Sequence, residues 1–272
     1  MTDGTDGQIA ALERRLRDIG TVAVAVSGGV DSMTLAFVAH RVLGAEATMF
    51  HATSPAVPPE AGERVRRHGA RHGWSVKVIS AGEFDDPAYL ANPVNRCFFC
   101  KTNLYGAIAR HTQATIASGT NLDDLGDYRP GLQAARDHGV RHPFVEAEIP
   151  KQGVRAIARS FGLDDLAELP AAPCLSSRLE TGIPVSAPAL AFVHGVERLI
   201  TREIGPQTVR CRVRRDGPAV ELDPASLAQL LSERGAPLRA QVARLSDAQG
   251  FGVQVRFEAY RRGSAFLHDR TP

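Results

Sequence analysis

Hydrophobic and polar positions switch between two periods along the first two-thirds of the chain. Residues 8–19 carry apolar side chains at helical spacing and read as an amphipathic helix. Residues 21–26, TVAVAV, form a short apolar run rich in β-branched side chains, as a buried parallel strand requires. A helix pattern follows over 33–43 and is closed by Gly44. Strand-like runs at 47–51, 76–79 and 114–118 then alternate with helix patterns at 60–72, 103–111, 129–138 and 153–161. This order predicts the α/β class, with a doubly wound parallel sheet of the Rossmann type.

The character changes near 184–188. Residues 189–203 look helical, 208–214 and 219–222 look like strands, 241–245 begins another element, and 253–257 alternates as a closing strand. This is an α+β pattern. It predicts a larger domain over 1–185 and a second, smaller one over 186–272.

A length of 272 residues suits two domains, and a 43% hydrophobic fraction excludes global disorder. No apolar run approaches the roughly 18–20 residues needed to cross a bilayer. The polar start Met1-Thr2-Asp3-Gly4 lacks the order of a signal peptide, so a soluble, cytoplasmic protein without a membrane partner is expected. The net charge is only +2, but residues 1–185 carry −2 and 186–272 carry +4. Every basic residue of the later part is Arg, and the lysines are Lys77, Lys101 and Lys151. An Arg-for-Lys bias of the whole proteome accounts for this; so does a local anion site, because Arg grips phosphate and carboxylate bidentately. A difference of this size does not suggest a nucleic-acid groove.

Ser27-Gly28-Gly29-Val30-Asp31-Ser32 lies between a buried strand and a helix. The two glycines let backbone N–H groups approach an anion where the helix dipole is positive, and Ser27 and Ser32 add hydroxyls. No lysine follows as it does in the Walker pattern. The alternative is a glycine-rich turn that binds nothing. Asp31 either caps the helix or helps to hold Mg²⁺. A second segment, Ser118 to Pro130 (SGTNLDDLGDYRP), follows the fourth strand. Its Asn121 and Asp123 suit a ribose or Mg²⁺ and its Arg129 a phosphate, unless the loop merely caps the next helix.

Cys97-Phe98-Phe99-Cys100 places two thiols about one helical turn apart, a spacing that suits a shared metal, a redox pair or two unrelated cysteines. Cys174 follows in Pro173-Cys174-Leu175-Ser176-Ser177-Arg178. Three thiolates suit an iron–sulfur cluster with one open iron, whereas structural zinc wants four ligands. Cys211 could be that fourth ligand, but inside a strand pattern it is expected in the core. The nine histidines are expected to show no metal-ligand spacing such as H-x-x-x-H and are given no role.

SGGVDS after a strand resembles the signature of the PP-loop ATP pyrophosphatases. That resemblance implies splitting of ATP between its α- and β-phosphates, with Ser27, Gly28, Gly29, Asp31 and Ser32 on the pyrophosphate. SGGVDS, TSPAVPPE, RCFFCK, GTNLDDLGDYRPG and PCLSSR, in this order, resemble the LarE-type sulfur transferases more closely. The likeness continues through Arg212-Val213-Arg214 and Tyr260 to Ser264 (YRRGS). It implies an enzyme that adenylylates a carboxylate of pyridinium-3,5-biscarboxylic acid mononucleotide and replaces AMP with sulfur, for the nickel-pincer nucleotide cofactor of lactate racemase.

On this resemblance ATP is bound by the loop residues with Asn121, Asp123, Arg129 and Lys151, and Mg²⁺ accompanies it. The mononucleotide meets Arg212, Arg214, Arg178 and Glu197. Sulfur comes from sulfide or a sulfur carrier, either through a 4Fe-4S cluster on Cys97, Cys100 and Cys174 or at the expense of Cys174 itself. The C-x-x-C pair favours the cluster. The likeness also implies a homo-oligomer, a hexamer being one such assembly. Glu168-Leu169-Pro170-Ala171 departs from the family's Asp-Lys-Pro-Ala. A PP-loop tRNA thiolase with a three-cysteine cluster and a non-catalytic nucleotide-binding module are the rival readings.

Overall fold

The computed structural model describes residues 2–126, 129–171, 173–261 and 264–265. Asp127, Tyr128, Arg262 and Gly263, which belong to the motifs above, lie outside the described residues. The chain forms two compact units, Met1–Asp86 with Asn95–Ala172, and Pro87–Val94 with Pro173–Pro272.

The first unit runs α1 (Thr2–Ile19), β1 (Val22–Ala25), α2 (Val30–Leu43), β2 (Ala47–Ala52), α3 (Pro59–His72) and β3 (Ser75–Ile79). After the short α4 (Pro87–Leu90) of the other unit, it resumes with α5 (Arg96–His111), β4 (Thr115–Ser118), α6 (Gly131–Asp137), α7 (Pro143–Glu146), α8 (Lys151–Ser160) and α9 (Asp164–Ala167). Its four strands are all parallel, in the order β3-β2-β1-β4. Strand periodicity sorts the core into two layers. Val22, Val24 and Met49 face one layer with Leu12, Leu16, Met33, Leu35 and Ile157, so α1, α2 and α8 cover that face. Ala23, Ala25, Phe50 and Ile116 face the other with Tyr105, Ile108 and Ala135, from α5 and α6. The sheet is therefore flanked by helices on both faces, as the alternating pattern predicts.

Chain order reverses between β1 and β4, the two strands that precede the glycine loop and the Ser118 loop. In open parallel sheets this is where ligand crevices form. Helix α5 begins at Arg96, seven residues ahead of the pattern at 103–111, so both cysteines of the C-x-x-C lie on its first turns. Asn95, a residue type favoured at helix starts, occupies its N-cap but makes no side-chain cap bond.

The second unit contains α4, α10 (Ala187–Ile204), β5 (Val209–Arg214), β6 (Gly217–Leu222), α11 (Pro224–Leu231), α12 (Ala236–Ala248) and β7 (Arg256–Ala259). Strands β5 and β6 form an antiparallel hairpin, and β7 adds in parallel to β6. Ser186 caps α10 by accepting from the Ala189 N–H, and Asp223 caps α11 by accepting from that of Ser226. The Asp223-Pro224 start of α11 is a readable signal that the sequence pattern passed over. Asn92 explains why residues 87–94 join this unit: its buried amide donates to the carbonyls of Glu180 (2.9 Å) and Ile183 (2.8 Å). Among the described residues no helix is long and apolar enough to cross a membrane.

Candidate functional site

The glycine loop is held by its own hydroxyls. Ser32 Oγ donates to the Gly29 carbonyl, lies 3.1 Å from Ser27 Oγ, and accepts from the Ser27 N–H at 3.1 Å. Gly28 has φ +84°, and a Cβ there would stand 2.7 Å from the Ala61 carbonyl oxygen of α3, so the turn tolerates only glycine. The next residue, Gly29, is the N-cap of α2 and no side chain caps the helix. Asp31 thus does not take the capping role that its position suggested.

Asp31 instead joins the three segments of the crevice. Its carboxylate receives Lys151 Nζ at 2.5 Å and Asn121 Nδ2 at 3.2 Å. The Lys151 N–H, at the start of α8, donates to Asp123 at 3.1 Å. Gly119 lets the β4 loop lie against α2, because a Cβ there would be 2.7 Å from the Ser32 nitrogen. Ser27, Gly28, Gly29, Asp31, Ser32, Asn121, Asp123 and Lys151, picked separately along the sequence, therefore meet. Arg129 is drawn to Asp124 by an ion pair of 2.7 Å.

Sequence reasoning missed Ser118 and His142, whose Oγ and Nδ1 are 2.9 Å apart at the end of β4. Burial pulls His142 below the ordinary histidine value, with Lys101 acting in the same direction and Glu146 and Asp124 against. It also missed His51, buried beneath the loop with Nδ1 2.8 Å from the Val26 carbonyl oxygen, and Arg64, which donates to the Gly28 carbonyl at 2.7 Å. Nothing in a linear pattern marks these contacts, because β2 and α3 deliver them from 25 and 36 residues away.

All four cysteines are thiols; Cys97 and Cys174 are exposed, Cys100 is partly so, and Cys211 is buried. The Cys97–Lys101 turn lies against the start of α6, since a Cβ on Gly131 would be 3.0 Å from Lys101 Cγ and 3.5 Å from the Cys97 carbonyl oxygen. The cysteine turn and the start of α6 are thus neighbours within one unit. Cys174 belongs to the other unit, where it opens a 3-10 turn, Leu175–Arg178. Among the described residues no three His, Cys, Asp or Glu side chains converge to hold a metal ion. Cys97, Cys100 and Cys174 are thiols at least partly open to solvent, the donor type that an iron–sulfur cluster takes. Cys211 sits in the core as expected: burial pushes its thiol well up, which makes it a poor nucleophile or ligand.

Arg178, Arg212 and Arg214 of the second unit are engaged with acids. Arg178 forms a two-point pair with Glu197 (2.9 and 3.0 Å) and also donates to the carbonyls of Pro173 and Cys174. Arg212 and Arg214 do share a face, as their i, i+2 spacing requires, and both reach the fully buried Glu221, at 3.1 and 2.6 Å. Arg214 also pairs with Glu258 at 2.6 Å, and Arg212 donates to the Ser177 carbonyl at 3.0 Å. This buried network ties β5 and β6 to the turn that carries Cys174.

Contrary to expectation, two histidine pairs, His68 with His72 and His138 with His142, do have the H-x-x-x-H spacing. Of these, His68 and His72 are in ring contact. They stack at 5.6 Å between ring centroids beside Trp74, and His68 Nε2 is 2.9 Å from Asp165.

These features define an α/β protein whose parallel sheet carries, at its C-terminal edge, a glycine loop that opens helix α2. No family model matches the chain. It is 35% identical over 232 residues to the uncharacterized protein slr1717 of Synechocystis, covering 84% of this chain and 86% of that one. It is 30% identical over 227 residues to the pyridinium-3,5-bisthiocarboxylic acid mononucleotide synthase of Lactiplantibacillus plantarum, covering 82% of each. A third relative, the uncharacterized protein MJ0830 of Methanocaldococcus jannaschii, is 22% identical over 88% of this chain and 90% of its own length. The chain belongs to the family of the Lactiplantibacillus synthase.

Proposed function

We propose that this protein is an ATP-dependent sulfur transferase that converts a carboxylate of a pyridine mononucleotide into a thiocarboxylate, in biosynthesis of the nickel-pincer cofactor. The observation that carries the reading is the meeting of the glycine loop, Asn121, Asp123 and Lys151 around Asp31, in a chain of this family. The carboxylate oxygen attacks the α-phosphorus of ATP, and the bond to the β-phosphate breaks to release pyrophosphate. A sulfur nucleophile then forms a C–S bond as the C–O bond to AMP breaks. The first step is needed because a carboxylate is a poor electrophile and AMP a good leaving group.

In this reading the loop N–H groups and the two serine hydroxyls stabilise charge on the departing pyrophosphate. Lys151 adds a cation, and Asp31, with Mg²⁺ accompanying ATP, keeps that cation in place. Asn121 and Asp123 face the nucleotide; Arg129 binds ATP phosphate at the expense of its pair with Asp124. The first unit holds ATP and carries Cys97 and Cys100, and the second, which carries Cys174, offers the mononucleotide a surface organised by Arg178, Glu197, Arg212 and Arg214. Cys97, Cys100 and Cys174 would hold a 4Fe-4S cluster. When bound, that cluster would supply sulfide at an open iron.

The test is pyrophosphate release from ATP with and without pyridinium-3,5-biscarboxylic acid mononucleotide. Release that requires the mononucleotide supports the reading. Release that requires tRNA instead would assign the chain to the thiolases, and none with either would leave a nucleotide-binding module.

A further inference from the structure

Arg64 lies on the second turn of α3, partly buried, and donates to the Gly28 carbonyl at 2.7 Å. Among the described residues this is its one side-chain hydrogen bond. A guanidinium offers five N–H donors and ordinarily finds a carboxylate when it is withdrawn from water. Here its partner is a neutral oxygen of the glycine loop. Burial and the neighbouring Arg67 both work against its charge, while Asp165 and Glu60 favour it.

The contact fixes more than a side chain. In a trans peptide the carbonyl and the following N–H point in opposite directions. With the Gly28 oxygen drawn towards α3, the Gly29 N–H is turned away from α3. That N–H is only loosely engaged, 3.5 Å from Ser27 Oγ. Gly28, at φ +84°, lacks the Cβ that would restrain its peptide, so the loop's own sequence does not fix that orientation. A glycine pair can rotate the intervening peptide at little cost, and the reversed peptide would present a carbonyl oxygen to an anion.

We propose that Arg64 is a positioning residue that clamps the Gly28–Gly29 peptide so that the Gly29 N–H faces a bound pyrophosphate group. The inference rests on the phosphate-loop reading above and adds to it the side chain that holds the loop in its anion-accepting form. Arg64 acts through the Gly28 carbonyl, and its effect falls on anion affinity.

The experiment is a titration of the ¹⁵N-labelled full-length chain with inorganic pyrophosphate, following the Gly29 amide, for wild type, Arg64→Gln and Arg64→Lys. Wild type binds with a Gly29 shift, Arg64→Gln binds about tenfold or more weakly with that shift lost, and Arg64→Lys, whose ammonium can still reach the carbonyl, recovers most of the affinity. Melting without ligand checks that the variants are folded, and a role in folding alone would not move the Gly29 response. Wild-type binding that persists in both variants with an unchanged Gly29 shift overturns the clamp. So does Arg64→Lys binding no better than Arg64→Gln. No pyrophosphate binding by the wild type removes the phosphate-loop reading itself, and the clamp with it.

Discussion

Lys151 Nζ stands 2.5 Å from the Asp31 carboxylate, joining the first turn of α8 to the first turn of α2 across the end of the sheet. The two side chains are 35% and 26% exposed, so water screens the pair and its contribution to folding is small, about 0–1 kcal/mol. Its geometry matters more. The pair aims a cation at the loop while neutralising the one acid of SGGVDS.

Lys151→Met and Asp31→Asn should therefore each slow mononucleotide-dependent pyrophosphate release by about two orders of magnitude, the usual effect of removing one charge-stabilising group. Melting temperature should stay nearly constant. The double variant should be little worse than either single one, because the residues act as a unit. Additive losses measured by single-turnover kinetics would show that they act separately.

The network on β5 and β6 is expected to behave in the opposite way. Glu221 is fully buried between Arg212 and Arg214, so Glu221→Ala leaves two guanidiniums without their main anion. Breaking a buried pair in this manner costs about 3–5 kcal/mol, which urea denaturation would register directly. Arg212→Ala should destabilise similarly and raise the apparent constant for the mononucleotide while leaving that for ATP unchanged. A defect directed mainly at ATP would overturn the assignment of this unit to the mononucleotide.

Much of the first unit was legible because its signals are local. TVAVAV is short, apolar and bounded by glycine, and its alternate residues serve the two core layers. The loop residues could be chosen from hydroxyl and glycine chemistry alone. What the sequence could not reveal was pairing over distance. Lys151 is paired with Asp31, which lies 120 residues away. Arg212 and Arg214 share a face, as alternation along β5 requires, but their acids lie on β6 and β7, and no spacing rule announces a buried Glu221. The early start of α5 did carry a readable signal, the N-cap residue Asn95, which the apolar pattern at 103–111 passes over.

Two histidines give the stability a pH dependence. Burial pulls His142 below its ordinary value of 6.5. Burial, then the positive neighbours His68, Arg71 and His40, does the same for His72, with Asp165 opposing. The unfolded chain therefore binds more protons than the native one once pH falls below about 6.5, and stability drops as pH is lowered through that value towards the native ones. Above it these two groups contribute no slope. Melting curves between pH 8 and 5 should show the decline, and His72→Gln with His142→Gln should flatten it. An unchanged slope in the double variant would place the titration elsewhere.

The last expectation concerns how sulfur reaches the activated carboxylate. Cys97 and Cys100 lie on one turn of α5, against the start of α6, in the unit that contains the glycine loop; Cys174 opens a turn in the other unit. If all three hold an iron–sulfur cluster, Cys97→Ala, Cys100→Ala and Cys174→Ala should each lose iron and its visible absorbance and stop thiolation. Pyrophosphate release should persist, because no cysteine takes part in adenylylation. Cys211→Ala is the control: its buried thiol has no part in either step, so iron and turnover should survive some loss of stability. If Cys174 instead surrenders its own sulfur, only Cys174→Ala is inactive, and protein recovered after one turnover is about 34 Da lighter, the mass of the H₂S lost in forming dehydroalanine. Anaerobic purification with iron and sulfide analysis, followed by intact-protein mass spectrometry, separates the two routes. The mass loss together with full activity in Cys97→Ala would overturn the cluster and leave the C-x-x-C turn without a part in the reaction.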